Sequence, residues 1–271
     1  MEIYLFAKNL IQDAGAFIRE RMTENYNIDS KSNRNDLVTD VDRETETFIY
    51  NRIGEKFKDH QIIGEEGHGF DIDDMKGVTW VVDPIDGTLN FVHQHENFAI
   101  SIGIFIDGEP YAGLILDVMK GDLYHARHGE GAYINDTQLT DIKDTELKSS
   151  LVSTNSNWLV KDGIKKPFIQ IVKDARSVRS YGSAALEIAN VAKGTSSAAL
   201  FYRLHSWDFA GGMIIVSELG GLTTTLLGEE MRILETNSIL TGNKKIHSEL
   251  VQYFKDDDEF IENHARFHGL D

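Results

Sequence analysis

Apolar residues change their spacing about halfway along this chain of 271 residues, and this change constrains the fold more than any other feature. Before about residue 145, β-type apolar runs follow one another closely, and the Asp107-Gly108 pair between two of them is typical of a hairpin turn. After that point, short apolar strands alternate with helical patterns. We therefore predict an α+β half over residues 1–145 and an α/β half over residues 146–271, together forming one compact unit.

The same spacing predicts the individual elements. Leu5, Leu10 and Ile18 recur at helical intervals and predict an amphipathic N-terminal helix, and a second helix is expected to begin at Thr39 or Asp40. In the first half, strands are predicted over residues 62–63, 78–82, 99–106, 111–118 and 122–126. In the second half, strands are predicted over residues 151–153, 198–201, 222–225 and 239–240, and helices over residues 184–192 and 209–219.

The composition narrows the possible functions. A net charge of −17 repels phosphate backbones, so we expect no nucleic-acid partner. The absence of cysteine excludes disulfides, thiolate zinc sites and cysteine nucleophiles. Residues 1–15 lack the pattern of a signal peptide, and the longest largely apolar run, residues 98–106, is too short to span a bilayer. We therefore expect a soluble cytoplasmic protein without a membrane partner.

The segment Asp-Pro-Ile-Asp-Gly-Thr at residues 83–88 carries the clearest chemical signal. An apolar strand ends in Asp83, the proline fixes a turn, and Asp86 follows on the same side with the Ile85 carbonyl between the two carboxylates. The next two amides point out of a helix N-terminus, where anions bind readily. The alternative is structural, because Asp86 could simply cap a helix while Asp83 closes a strand.

Three further acidic segments favour the chemical interpretation, although helix capping explains two of them individually. They are Gly64-Glu65-Glu66, the aspartate-rich stretch over residues 36–42, and Asp208 at the start of an apolar helix. If these groups converge, two carboxylates about 4 Å apart repel by roughly 4 kcal/mol at an effective dielectric constant of 20. Bound cations would relieve that repulsion, and a set of oxygen ligands selects Mg²⁺ or Mn²⁺ over Zn²⁺.

Together these residues resemble the inositol monophosphatase family of Mg²⁺-dependent, lithium-sensitive phosphatases. Its two signatures match residues 83–88 and the Trp-Asp-Phe-Ala-Gly-Gly run at residues 207–212, and its Gly-Glu-Glu element matches residues 64–66. Weaker matches fall at Lys31 and at residues 36–39, 90–93, 129–133 and 182–185. The resemblance implies an αβαβα layered sandwich of the sugar phosphatase type, usually assembled as a homodimer.

The resemblance also implies roles for individual residues. Two or three Mg²⁺ ions, or Mn²⁺, would be held by Glu65, Asp83, the Ile85 carbonyl, Asp86 and Asp208. Thr88, Asp42 and Glu65 would be catalytic, with water activated by metal attacking in line and no phosphoenzyme. The small phosphorylated substrate would contact Gly87, Thr88, Lys31, Gly182, Ser183, Phe201, Arg203 and Asp208.

One departure from the family pattern concerns specificity. The animal enzymes have a hydroxyl-binding glutamate seven residues before the Trp-Asp aspartate, and Phe201 stands at that position here. Phe201 could stack on a substrate ring, or it could be a core strand residue, and Arg203 could hold a second phosphate. We predict inositol-1-monophosphatase-like hydrolysis, with NADP 2′-phosphatase or fructose-1,6-bisphosphatase activity as the alternative. A non-enzymatic phosphate-binding regulator is disfavoured because the ligand set is intact.

Overall fold

The computed structural model describes residues 1–30, 37–67 and 72–268, and this part of the chain contains eight α-helices. The helices are α1 (Glu2–Arg21), α2 (Asp40–Lys56), α3 (Thr88–Gln94), α4 (Lys165–Asp174), α5 (Ala184–Ala192), α6 (Ser206–Glu218), α7 (Lys244–Lys255) and α8 (Asp258–Phe267). None of the described helices combines the length and the apolar character that a membrane crossing requires.

The strands of the described residues form an antiparallel pair and two larger sheets. The pair consists of β1 (Ile28–Ser30) and β2 (Leu37–Thr39). The seven-stranded sheet contains, in spatial order, β3 (Gln61–Gly64), β4 (Val78–Asp86), β5 (Ala99–Ile106), β6 (Glu109–Asp117), β7 (Asp122–Arg127), β8 (Ala132–Ile134) and β9 (Thr137–Gln138). The five-stranded sheet contains β10 (Leu151–Thr154), β11 (Ser177–Arg179), β12 (Ala198–Leu204), β13 (Leu222–Thr224) and β14 (Asn237–Gly242), in the spatial order β11-β10-β12-β14-β13.

Three apolar clusters show how the layers stack. In the first, Leu10 of α1 and Ile49 of α2 pack with residues from one face of the seven-stranded sheet. The second, which includes Phe209, joins the opposite face of that sheet to the five-stranded sheet through helices α5 and α6. The third covers the outer face of the five-stranded sheet with α4, α7 and α8, including Phe254 and Phe260. The expected αβαβα sandwich is therefore confirmed.

The predicted elements correspond to observed ones, with extensions at several ends. The hairpin at Asp107-Gly108 is confirmed, since both residues have positive φ (52° and 83°) and Ile106 pairs with Glu109 across the turn. One detail is wrong: Leu5 does not lie on the buried face of α1 but is 54% exposed. Helices α4, α7 and α8 and the short strands β1, β2, β8, β9 and β11 were not predicted.

Glycines bring α6 unusually close to the seven-stranded sheet. A Cβ added at Gly113 of β6 would lie 2.1 Å from the carbonyl oxygen of Gly211 in α6. A Cβ at Gly211 would in turn lie 2.9 Å from the carbonyl oxygens of Ile102 and Leu114. The helix backbone thus rests on the sheet backbone, and this contact fixes the position of the first turn of α6, which carries Asp208.

A Gly113→Ala substitution should therefore destabilise the protein, because either the helix or the sheet must move to accept the methyl group. We expect a loss of about 1–3 kcal/mol in the free energy of unfolding, measured with urea. Gly54→Ala is the matched control, since Gly54 is exposed in α2 and an added Cβ there meets no atom within 4 Å. That control should gain up to about 1 kcal/mol from helix propensity. Equal effects of the two substitutions would contradict the close-packing account.

Candidate active site

Three carboxylates converge where the seven-stranded sheet meets α6. One oxygen from each of Asp83, Asp86 and Asp208 lies within 4.8 Å of the others, and no other group of this kind occurs in the described part of the chain. Asp83 and Asp86 end strand β4, whereas Asp208 belongs to the first turn of α6. Residues predicted from separate motifs are therefore adjacent in the fold.

Main-chain N–H groups hold two of these carboxylates in place. Oδ1 of Asp83 accepts a hydrogen bond of 2.9 Å from the N–H of Ile85, within the turn. Oδ2 of Asp208 accepts one of 2.7 Å from the N–H of His205, which is the N-cap of α6. The capping role suggested by the sequence is thus present, and the same carboxylate also faces the cluster.

Asp86 links the two halves of the chain. Its carboxylate accepts hydrogen bonds from the N–H groups of Ala184 (3.2 Å) and Ala185 (2.8 Å), at the start of α5, and from the hydroxyl of Ser183. The N-terminus of a helix favours negative charge, so α5 stabilises this aspartate electrostatically. Ser183, predicted as a substrate residue, is therefore placed beside a predicted metal ligand.

Glu65 reaches the cluster from the neighbouring strand. Strand β3 runs parallel to β4 with Gly64 paired to Val82, so the residue after β3 lies beside Asp83. The negative charge of Glu65 helps to raise the pKa of Asp83, as expected for neighbouring carboxyl groups. The predicted acidic side chains Glu65, Asp83, Asp86 and Asp208 are thus brought together.

The sequence analysis missed Glu46, a buried residue of α2 that supports the turn containing Glu65. Its Oε2 accepts a hydrogen bond of 2.7 Å from the N–H of Glu66. Gly64 makes room for it, because an added Cβ there would lie 2.5 Å from the same oxygen. The available signal was a polar stripe: Glu46 follows Asp42 by four residues, on the same face of a helix that packs on the core.

Burial and crowding alter the ionisation of these acids. Burial, reinforced by the charges of Glu65, Asp86 and Asp208, raises the pKa of Asp83 well above its ordinary value. Burial also raises the pKa of Asp208 well above its ordinary value, and that of Asp86 to about 6. Without a cation, ionising all of these groups is therefore unfavourable near neutral pH.

Thr88 and Asp42 form a hydrogen-bonded pair next to the cluster. The Thr88 hydroxyl lies 3.1 Å from Oδ1 of Asp42 and 3.2 Å from the Ile85 carbonyl oxygen. The other oxygen of Asp42 accepts the N–H of Thr39 at 2.8 Å, completing the N-terminal cap of α2. Burial raises the pKa of Asp42 to about 6. A hydroxyl joined to such a carboxylate can orient a water molecule and pass on its proton.

Gly87, the N-cap of α3, allows a second loop to approach. It has a left-handed conformation with φ 96°, and an added Cβ would lie 3.2 Å from the carbonyl oxygen of Gly182 and 3.2 Å from Cβ of Ser183. The loop is also held by Asn90, whose amide donates to the Tyr181 carbonyl oxygen at 2.7 Å. The predicted residues Gly87, Gly182 and Ser183 therefore lie together.

A cavity of about 200 Å³ opens beside Asp86. Its walls include Gly182, Ser183, Phe201 and Arg203, all of which were predicted as substrate residues, and also Asn155, Trp158 and Glu187, which were not. Two larger cavities, of about 560 and 600 Å³, contain none of the predicted site residues, so size alone does not locate the site.

The specificity residues differ in their surroundings. Phe201 is 6% exposed and packs in the core between the sheets while also lining the cavity, so both interpretations of this residue have a basis in its contacts. Arg203 is exposed, and its guanidinium carbon lies 5.7 Å from the centre of the Phe267 ring. Lys31 falls outside the described residues.

Comparison with known proteins decides the family. Residues 1–259 match the model of the inositol monophosphatase family. The chain belongs to the inositol monophosphatase family. It is 48% identical over 255 residues to inositol-1-monophosphatase of Bacillus subtilis (strain 168), covering 93% of this chain and 96% of that protein. The crystal structure of inositol monophosphatase-II from Staphylococcus aureus MSSA476 is 51% identical, with a TM-score of 0.92 and 98% of each chain covered.

Relatives in this family differ in the molecules they are bound to and in the activities they are named for. SaIMPase-II bound to inositol monophosphate is 49% identical, with a TM-score of 0.87 and coverage of 100% of this chain and 98% of that chain. An IMPase/NADP phosphatase complexed with Mg²⁺ and phosphate is 26% identical, with a TM-score of 0.88 and coverage of 95% and 96%. A fructose-1,6-bisphosphatase/inositol-1-monophosphatase of Thermotoga maritima is 33% identical over 247 residues, covering 91% of this chain and 93% of that protein. The chain is an inositol-monophosphatase-like phosphatase.

The crowding of acids predicts an unusual effect of Asp83→Asn in the presence of a chelator. The folded protein binds protons at these carboxyls more tightly than the unfolded chain does, so their repulsion grows as the pH rises through the folded pKa values, about 6 for Asp86. The variant should therefore be more stable than the parent protein above about pH 6, by about 1–3 kcal/mol. The difference should shrink as the pH falls towards 4.

Urea unfolding with chelator at several pH values measures this difference. Asp13→Asn is the control, since Asp13 is an exposed carboxylate whose ion pair with Arg52 spans 3.3 Å. It should change stability by no more than about 0.5 kcal/mol at any of these pH values. A destabilised Asp83→Asn protein at pH 7 with chelator would show that the cluster is not under repulsion.

Proposed function

We propose that this phosphatase hydrolyses a small phosphorylated polyol, such as inositol 1-phosphate, in a reaction that requires Mg²⁺. The observation that carries the proposal is the convergence of Asp83, Asp86 and Asp208 within 4.8 Å, beside Glu65, which directly follows the neighbouring strand β3. Relatives described with inositol monophosphate, and with Mg²⁺ and phosphate, support the same chemistry.

The donor set fits hard divalent cations. Every donor is oxygen, which suits Mg²⁺ and also Mn²⁺. The charged neighbours that raise the pKa values of Asp83 and Asp208 are themselves acids, so a bound cation would be stabilised here. Mg²⁺ bound here would offset the charge of the phosphate and lower the pKa of water. We infer two or three ions, and sensitivity to lithium is expected from family membership. The residues proposed to hold the ions are Glu65, Asp83, Ile85 through its carbonyl, Asp86 and Asp208.

The chain's own groups would position the reactants. The amides of Gly87 and Thr88 open the N-terminus of α3 and would hold phosphate oxygens. The hydroxyl of Thr88 would orient the attacking water, and Asp42 would take up its proton through that hydroxyl. No side chain needs to carry the phosphoryl group in this arrangement. Lys31 remains a predicted phosphate contact.

A second candidate activity has an observation of its own. The guanidinium of Arg203 and the ammonium of Lys161 lie 5.7 and 5.3 Å from the centre of the same Phe267 ring, and Lys161 also lies 5.7 Å from the Trp158 ring. Arg203 and Trp158 line the cavity beside Asp86. A cation in the cavity lining, with a second one beside the lining residue Trp158, favours substrates with a second anionic group, such as NADP or fructose 1,6-bisphosphate.

We further infer that the two halves, residues 1–145 and 146–271, fold as one unit. The first would supply most metal ligands, and the second Asp208 and the specificity residues. Packing of α6 on the seven-stranded sheet supports this inference. A single calorimetric transition with equal van't Hoff and calorimetric enthalpies would be expected.

We also propose that the protein is a homodimer in the cytoplasm. We expect it to have no nucleic-acid or membrane partner. The dimer is inferred from family membership, and the negative charge of the chain disfavours a nucleic-acid partner. Light scattering coupled to gel filtration measures the assembly, and a monomer at micromolar concentration would argue against the dimer.

Metal removal is the direct test of the proposed reaction. Hydrolysis of inositol 1-phosphate should stop after chelation and return when Mg²⁺ is added, because the carboxylates alone repel a phosphate. Released phosphate is measured before and after dialysis against EDTA. Undiminished hydrolysis in metal-free buffer would rule out the mechanism.

Thr88→Ala should separate catalysis from metal binding. Loss of the hydroxyl should reduce kcat by roughly a hundredfold or more, since the water loses its link to Asp42. Mg²⁺ binding, measured by calorimetry, should change little because the carboxylates remain. Thr47→Ala is the control, as the Thr47 hydroxyl bonds only to its own helix at the Arg43 carbonyl oxygen. Loss of Mg²⁺ binding in Thr88→Ala would refute the proposed role.

Arg203→Ala should distinguish the two substrate classes. A bidentate contact to a second phosphate predicts a roughly ten- to hundredfold fall in kcat/KM for NADP or fructose 1,6-bisphosphate. Inositol 1-phosphate turnover should barely change. Arg176→Ala, an exposed arginine outside the cavity lining, is the control. Equal losses on all substrates would assign Arg203 a structural role, and no loss on any would remove it from the site.

A further inference from the structure

Glu187 presents an unused carboxylate oxygen in the wall of the cavity beside Asp86. The residue is 2% exposed, near the start of α5, and lines the cavity together with Ser183 and Phe201. Its Oε1 accepts the N–H groups of Tyr181 at 2.6 Å and of Gly182 at 3.2 Å. Its Oε2 is buried and accepts no hydrogen bond from the residues that the structure describes.

A buried carboxylate oxygen without a donor is unfavourable by about 1–3 kcal/mol, so this oxygen favours any ligand that brings a donor. Three protein donors at the start of α5 are already engaged. The hydroxyl of Ser183 and the N–H groups of Ala184 and Ala185 all bond to Asp86. These three donors therefore do not serve Oε2, and a molecule that enters the cavity with a hydrogen-bond donor would satisfy it.

The same cavity also contains a hydrogen-bond donor that lacks an acceptor among the described residues. Trp158 lines the cavity, and the buried indole Nε1–H of Trp158 has no acceptor in the described part of the chain. A hydroxyl group donates one hydrogen bond and accepts others, so neighbouring hydroxyls on one molecule can satisfy both groups. A purely anionic or purely apolar ligand would leave Glu187 unsatisfied. A polyol or a ribose offers both kinds of group.

We propose that Glu187 and Trp158 are specificity-determining residues that bind hydroxyl groups of the substrate's alcohol part, Glu187 as acceptor and Trp158 as donor. The inference rests on the proposed function and identifies how the alcohol attached to the scissile phosphate is recognised. Phe201, on β12, cannot accept a hydrogen bond from a hydroxyl group. Glu187 would supply that acceptor in the same cavity, from helix α5. A hydroxyl-binding carboxylate is thereby retained at a different position in the chain.

Glu187→Gln is the sharpest test, because the amide keeps an acceptor oxygen for the loop N–H groups and replaces Oε2 by a donor. For inositol 1-phosphate, kcat/KM should fall roughly ten- to hundredfold, mainly through KM. For p-nitrophenyl phosphate, which has no hydroxyl, it should stay within about twofold. Trp158→Phe should show the same selectivity more weakly. Glu262→Gln, on the exposed face of α8, is the control.

Deoxy analogues of inositol 1-phosphate locate the contact. Removing the recognised hydroxyl should lower kcat/KM for the parent protein and have little further effect on Glu187→Gln. Equal losses on inositol 1-phosphate and p-nitrophenyl phosphate would show a structural role, and no loss on either would place the alcohol elsewhere. Both results overturn the inference.

Failure of the proposed function and failure of this inference alone give different results. If the parent protein with Mg²⁺ hydrolyses neither ester, the proposed function fails and the inference with it. If it hydrolyses both without selective loss in the variants, only the inference fails. Should Glu187→Gln not fold, as judged by its thermal transition, Trp158→Phe with the same pair of substrates decides the question.

Discussion

Repulsion among closely spaced carboxylates, which main-chain hydrogen bonds hold in place, is the constraint on which the rest of this structure depends. Asp83, Asp86 and Asp208 would separate or take up protons if nothing held them. They are fixed because each accepts main-chain N–H groups, from a turn, from the start of α5 and from the N-cap of α6. These hydrogen bonds keep the acids together in the absence of a counter-charge, and a divalent cation relieves the repulsion that remains.

This arrangement ties the site to the layered architecture. Two of its carboxylates end a strand of the seven-stranded sheet, whereas the helices that complete the cluster lie between the two sheets. The glycine contact at Gly113 sets the height of α6 above the sheet, and the hydrogen bonds of Asp86 set the position of α5. The cavity beside Asp86 therefore takes its shape from the packing of both halves, which explains how distant motifs meet.

The sequence predicted the features that depend on local pattern. The Asp107-Gly108 turn needs positive φ at both positions, and β5 and the helix at residues 184–192 are predicted by apolar spacing. Members of the acidic cluster were identifiable because their segments match a known family. The short strands β8 and β9, of three and two residues, carry almost no periodic signal, since they are defined by pairing with neighbours.

Other features depend on tertiary contacts and were out of reach. Leu5 has the right helical spacing for burial, but the sheet covers a face of α1 that does not include it. Helix α7, by contrast, carries apolar residues at helical spacing after the N-cap Asn243, so it was within reach of the sequence and was missed. The unsatisfied atoms of Glu187 and Trp158 cannot be recognised before every neighbouring donor has been assigned.

The central claim is that the carboxylate cluster is built to bind divalent cations, and thermal unfolding of the metal-free protein titrated with Mg²⁺ tests it most directly. Our account predicts that Tm rises with the logarithm of the Mg²⁺ concentration above the dissociation constant, because the ion binds only the folded state. Asp208→Asn should lose most of that rise, and NaCl at equal ionic strength should not reproduce it. A Tm that is independent of Mg²⁺, or an equal rise in Asp208→Asn, would contradict the account.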